Sequence, residues 1–369
     1  MGKQITFINA RVIDPKAEIE TSGAFTVNDG LIEKRDGGIE GKVIDCKGMC
    51  LAPGIVDIGV KICEPGEKHK ESFRSASNAA AAGGVTSLVT RPDTKPSIDT
   101  PELLEFFKNR GKEVSEVRIF PTASLTKKNN GKKMTEIGFL HDGGAVGFTD
   151  GFNSIPNTKI FHHILRYASD FNTLIIGHPQ DHFLTKDTSA TNGVFASIKG
   201  ISSGPDTAEK IGMERDTALV SNLNIRYHAD QITTKIGLDV LRKAKTTNKQ
   251  LTAGTSIHHI LFNELDIANY RTFFKLKPPL RSNSDREALT QAIREGLIDN
   301  ICSMHTPQDE ESKRLPFEEA APGAVGLETI LSASLSLYHN KVLSLNELFR
   351  LLALNPANII KKNLGCLDE

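Results

Sequence analysis

The chain has 369 residues, of which 38% are hydrophobic and 24% charged, enough for a sizeable core and too apolar for wholesale disorder. Length alone allows about two domains, or one large α/β barrel with an appendage. Lys+Arg and Asp+Glu are both 45, a balance that excludes a general nucleic-acid or anionic-membrane binder, and no apolar run approaches the roughly 18 residues of a membrane helix.

The N-terminus enters a strand-like segment directly, without the apolar block of a signal peptide. Strand-like runs at 4–12, 23–28 and 42–46, with Gly37-Gly38 breaking the chain between them, predict a small β element. From residue 55 the rhythm changes. Strand-like runs at 55–62, 85–90, 117–123, 145–149, 173–178, 225–232, 250–255 and 299–303 are mostly separated by helix-like segments, at 70–82, 101–110, 158–170, 206–221, 234–246 and 285–295. Thr100-Pro101 fits an N-cap followed by proline at the first helical position. Ser284 with Glu287, and Ser344 with Glu347, fit capping boxes; Gly296 ends the first of these helices, and the second must stop before Pro356. Asn129-Asn130-Gly131 reads as a flexible loop, and 186–204 as the longest irregular stretch. Cysteines at 46, 50, 63, 302 and 366 form an odd, sparse set, which reads as reduced thiols in a cytoplasmic protein and not as a disulfide framework. Eight alternating units fit a (β/α)8 barrel or a doubly wound sheet, and periodicity does not separate the two.

The chemistry ought to lie on the first strand of this series. Asp57, Gly59, Lys61 and Cys63 share one parity and so project from one face. If the sheet is a barrel, the C-terminal ends of its strands line the active site. The stretch PGIVDIGVKICEPGEKHKESF resembles the first-strand signature of dihydroorotases, in the amidohydrolase superfamily, which reads Asp-x-His-x-His-x-Arg-Glu-Pro-Gly. Asp57 and Glu64-Pro65-Gly66 match it. Gly59 and Lys61 stand where two metal-binding histidines belong, and Cys63 where a substrate-binding arginine belongs. The resemblance runs through nearly the whole chain. AAAAGGVTSLVTRPDTKPSIDTPE resembles the second βα unit, with Asp93 for a substrate-holding asparagine. AVGFTDG keeps the aspartate ligand as Asp150, and IIGHPQD keeps a histidine ligand as His178. RYHADQIT has Gln231 for another ligand histidine, and KLKPPLRS has Lys277 for an asparagine. IDNICSMHTPQ has Met304 for the catalytic aspartate and Gln308 for a closing histidine. LPFEEAAPGAVGLET and LNPANI match the family tail.

The resemblance implies a TIM barrel, residues 53–369 with C-terminal helices, and a small β-sandwich appendage built mainly from residues 1–52. Family members continue past a point similar to Glu369 into strands that complete that appendage. In active relatives two metal ions, held by four histidines and two carboxylates, activate a bridging water while an aspartate shuttles protons. Here only Asp150 and His178 survive of those six, fewer than the three protein ligands of a usual catalytic zinc. Met304 transfers no proton, and Cys63 offers no guanidinium to a carboxylate. His162-His163, His228, His258-His259 and His305 read as packed or surface residues, and Cys46 and Cys50 as ordinary thiols. The Lys61 ammonium either neutralises Asp150 in the vacated metal position or snorkels to solvent; a contact with Asp150 is the expectation carried forward.

By resemblance the chain reads as a non-catalytic dihydroorotase-like protein of pyrimidine biosynthesis, without metal cofactor, that assembles with aspartate transcarbamoylase as part of an oligomer. The alternatives are an active cyclic amidohydrolase with an altered or single-metal site, with zinc as its metal, and a sensor that uses the old pocket without chemistry.

Overall fold

The computed structural model describes residues 4–35 and 41–367, so Gly37-Gly38 lie outside the described residues. It divides into two compact units, residues 1–56 with 335–369 and residues 57–334. The C-terminal helices, grouped with the barrel from sequence, therefore pack with the N-terminal strands.

In the first unit, β1 (Gln4–Asp14) pairs antiparallel with β2 (Ile19–Asn28), and β2 with β3 (Leu31–Arg35). β4 (Lys42–Asp45) and β5 (Cys50–Leu51) add to β1 in parallel. Ala10, Val12, Phe25, Cys46 and Leu367 form its apolar core. The Ser344–Glu347 capping box is present. Beyond it the expected stop before Pro356 does not occur. A π-helical turn, Arg350–Leu354, leads straight into the helix Asn355–Ile359, where Pro356 sits in the first turn. There its missing N–H costs no helical hydrogen bond.

In the second unit, β6 (Ile55–Val60), β7 (Val85–Thr90) and β8 (Arg118–Pro121) form a sheet. The segment 145–149 extends it through parallel bridges Ala123↔Phe148 and Phe148↔Ile175 into β9 (Leu174–Gly177). A short parallel pair, β10 (Ala190–Thr191) and β11 (Ser203–Gly204), lies in the excursion that follows, with the helix Val194–Lys199 between them. The stretch 186–204 is thus less irregular than its composition suggests. β12 (Arg226–Ala229), β13 (Leu251–Ser256) and β14 (Asn300–Cys302) continue in parallel register. Closure comes where the Lys61 amide donates to the His305 carbonyl at 2.9 Å and the Ser303 amide to the Asp57 carboxylate at 2.8 Å. Among the described residues this makes a ring of eight parallel segments, a (β/α)8 barrel.

The outer helices follow from their periodicity. In Thr158–Ser169 the buried residues are Phe161, Ile164, Leu165 and Ala168, one stripe at helical spacing. Fully burying each of the large ones is worth about 1.5–3 kcal/mol. The Thr100 hydroxyl caps Pro101–Val114 by accepting from the Leu103 amide. The next expected cap lies two residues early: Ser282, not Ser284, accepts from the Asp285 amide and starts Asn283–Arg294, while Gly296 follows the helix at φ +69°. Asn129 is buried in a 3-10 turn, and the Gly131 amide donates to the Thr126 hydroxyl, so this loop is tied down.

Candidate functional site

The mouth of the barrel is formed where the strands end and their loops begin. β6 is buried along its length, and Asp57 lies inside it. The Ser303 amide and hydroxyl donate to the two Asp57 oxygens. Burial pushes the Asp57 carboxyl up to about 6 against those two bonds. Two residues on, Gly59 adopts φ +91°, and a Cβ there would sit 2.7 Å from the Met304 sulfur. Met304 itself has φ +46° and Gln231 φ +56°. Gly59, Gln231 and Met304, three of the positions that the resemblance assigns to lost groups, therefore have left-handed backbone, which disfavours ordinary side chains.

Lys61 does not pair with Asp150 and does not snorkel to solvent. Its ammonium lies 3.1 Å from Asp93, with the two side chains 16% and 19% exposed. Asp150 instead takes its hydrogen bonds from another loop. The Thr126 amide donates to one of its oxygens at 2.9 Å, and the Thr126 hydroxyl to the other. Burial still pushes the Asp150 carboxyl up to about 6. Asp93, close to Gly151, instead presents its carboxylate to Lys61 and to Arg91, whose Nε lies 3.2 Å away. Burial alone would raise the Asp93 carboxyl, but Arg91 and Lys61 outweigh it and hold it below the usual range.

The Arg91 guanidinium also stacks on Phe152, 3.9 Å from the ring centroid, and Phe152 meets the His178 ring edge-on at 5.7 Å. His178 is buried, its Nδ1 has no partner, and burial, with Lys277 and Arg91 nearby, brings its imidazole down to about 3. It is a neutral ring. Cys63 is buried too, and its thiol is pushed up to about 11, so it is no thiolate nucleophile. Gln231 leaves its side-chain nitrogen unpaired, and Gln308 donates to the Pro322 carbonyl.

The other histidines have structural partners or none. His228 bonds Thr252, His259 bonds the carbonyls of Pro278 and Pro279, and His162 and His163 lie on the exposed face of an outer helix. His305 accepts from the Gly326 amide through Nδ1, so its Nε2 donates to Glu71 at 2.9 Å. All five cysteines are free.

Among the described residues no group of three or more His, Cys, Asp or Glu side chains is arranged to hold a metal ion. The donors that surround the mouth explain why a metal pair does not fit. An ammonium and a guanidinium occupy the carboxylate of Asp93, a thioether covers Gly59, and Thr126 occupies both oxygens of Asp150. Asp93 is held ionised as a weak base, and Met304 has no proton to exchange.

The family model described as Dihydro-orotase-like matches residues 48–237. A dihydroorotase of Ehrlichia canis (strain Jake) is 36% identical over 374 residues, covering 99% of this chain and 83% of the relative. The chain belongs to the dihydroorotase-like family. A dihydroorotase-like protein of Pseudomonas aeruginosa is 31% identical over 367 residues, covering 98% of this chain and 87% of its own length. The L-hydantoinase of Arthrobacter aurescens superposes with a TM-score of 0.87 over all of this chain and 85% of its own, at 23% identity. That likeness speaks for the fold alone, a (β/α)8 barrel with a small β unit.

Several residues of this dihydroorotase-like mouth escaped the sequence reading. Arg91 precedes Pro92-Asp93, in the run that resembles Met-Pro-Asn, and its departure from that run was a usable signal. Phe152, Thr126, Ser303 and Glu71 carried none, because their partners lie on other loops.

Proposed function

We propose that this dihydroorotase-like chain is a pseudoenzyme of pyrimidine biosynthesis in the cytoplasm, without metal cofactor, and that it serves as a structural subunit assembling with aspartate transcarbamoylase. The observation that carries the reading is the Lys61–Asp93–Arg91 ion cluster beside a Gly59 covered by Met304. It puts an ammonium and a guanidinium, which repel cations, near the region where the family resemblance would put metal, and their one carboxylate, Asp93, is shared between them. The assembly role rests on that resemblance, and a fold kept without its chemistry fits a role selected for surface and stability. Among the described residues no helix is long and apolar enough to cross a membrane. Gel filtration of the chain with aspartate transcarbamoylase from the same cell tests the role. A shared peak of higher mass is expected, whereas separate elution at micromolar concentration removes its main support.

A second reading, an active cyclic amidohydrolase with an altered or single-zinc site, is favoured by retention of Asp150 and His178 and by relatives named dihydroorotase at 36% identity. Stoichiometric zinc in the purified protein supports it over the first.

A further inference from the structure

Behind His178 the loop 275–279 and the excursion 185–202 enclose a cavity of about 490 Å³. That volume suits a small metabolite. Its wall carries two ammonium groups, Lys275 and Lys277, with His178, Gln180 and Ser189 between them. The two lysines are not equivalent. Lys275 donates to the Glu318 carbonyl at 2.6 Å. Among the described residues Lys277 has no hydrogen-bond or ion-pair partner, and it is half-buried. The charges it feels are Arg91, which repels it, and Asp93, which attracts it. Asp93 is already shared between Lys61 and Arg91. One carboxylate thus faces three cations. The two carboxylates in the cavity lining, Asp187 and Glu318, belong to exposed residues, and Glu318 accepts from the Ser202 amide. The lining is formally balanced, but its negative charge sits on exposed residues and its positive charge on the buried Lys275 and the unpaired Lys277, next to a neutral imidazole.

An unpaired ammonium partly withdrawn from water loses some of its hydration, and an anion that reaches it gains a charge-assisted hydrogen bond. We propose that this cavity binds a small oxyanion, a carboxylate or a phosphate, with Lys277 as its principal contact and Lys275, Ser189 and His178 along its sides. Recognition of an anion has then moved away from the first strand, where Cys63 is buried and uncharged, to the loop after β13. The inference does not depend on the assembly role or on whether the chain turns over any substrate.

Isothermal titration of the full chain with inorganic phosphate and with succinate, against sodium chloride at matched ionic strength, tests it. Saturable binding of at least one oxyanion is expected. Binding of phosphate alone assigns a phosphate ligand, and binding of succinate alone a carboxylate. Lys277→Ala should weaken it by about tenfold or more, Lys277→Arg should retain it, and Lys249→Ala on the exposed surface should leave it unchanged. If Lys277→Ala fails to fold by circular dichroism, Lys277→Gln takes its place. No saturable binding of either oxyanion, or binding that survives loss of the Lys277 charge, overturns the proposal.

Discussion

Gly59 is where repair of the old site meets the present structure. Gly59→His restores the residue type that the family signature carries. Two costs oppose it. The backbone at φ +91° is open to glycine, and a side chain there costs about 1–2 kcal/mol. The new Cβ would also sit 2.7 Å from the Met304 sulfur and 3.3 Å from its terminal methyl. Met304 is flexible but buried, so displacing it costs about 1 kcal/mol, the low end for overpacking. The sum is about 2–3 kcal/mol, a large share of the roughly 5–15 kcal/mol that holds a domain. The backbone part is the larger and is independent of Met304. Gly59→Ala measured with and without Met304→Ala separates the two, because the second background removes only the contact. With no tryptophan in the chain, urea unfolding is best followed by circular dichroism. Gly59→Ala should be clearly destabilising, and less so by about 1 kcal/mol in the Met304→Ala background. A cost below about 0.5 kcal/mol in the wild-type background would show that neither the left-handed backbone nor Met304 opposes a side chain at 59. Gly59→His with Lys61→His should also show no dihydroorotase turnover, since Gln231 and Met304 still stand at two further positions.

In the ion cluster, Asp93→Ala should destabilise by about 3 kcal/mol because it leaves Lys61 and Arg91 unopposed, whereas Lys61→Ala should cost only about 1 kcal/mol because Arg91 still holds Asp93; equal costs in urea unfolding would count against a shared carboxylate. Burial raises the Asp230 carboxyl to about 7. The folded state therefore holds this proton more tightly than the unfolded chain, whose carboxyl titrates near about 4, so its contribution is full below about 4 and is lost as pH rises through about 7. Asp230→Asn should remove that loss and flatten the stability profile between pH values of about 4 and 7, and an unchanged profile would rule out Asp230 as its source. His305→Ala should cost about 3 kcal/mol by leaving Glu71 buried without its imidazole partner, whereas a cost near zero would show that the pair contributes nothing.

The barrel was legible where local signals repeat. The strand-like runs and the stripes of helices such as Thr158–Ser169 fall close to the observed elements because burial of one face dictates period. The family spacing then separated a barrel from a doubly wound sheet. Parity put Asp57 and Gly59 on the inward face of the first strand, and both are buried there. Boundaries were less legible. Ser282 and Ser284 both offer a capping hydroxyl, and only the position of Asp285 relative to the preceding loop decides between them. Nothing near Pro356 announces the π turn that lets the helical path continue. The partner of Lys61 was not legible at all. Its partner is Asp93, which also takes Arg91, whereas Asp150 takes hydrogen bonds from Thr126, and none of these neighbours is local to Lys61. The His305–Glu71 pair joins residues 234 positions apart, beyond any local pattern.

On the proposed reading this mouth neither holds a metal pair nor activates water. Metal analysis of the purified chain after incubation with zinc, combined with a turnover assay on dihydroorotate and carbamoyl-aspartate, tests it most directly. Substoichiometric metal and no turnover above background are expected; a bound metal pair with turnover abolished by Asp150→Ala or His178→Ala would contradict the account.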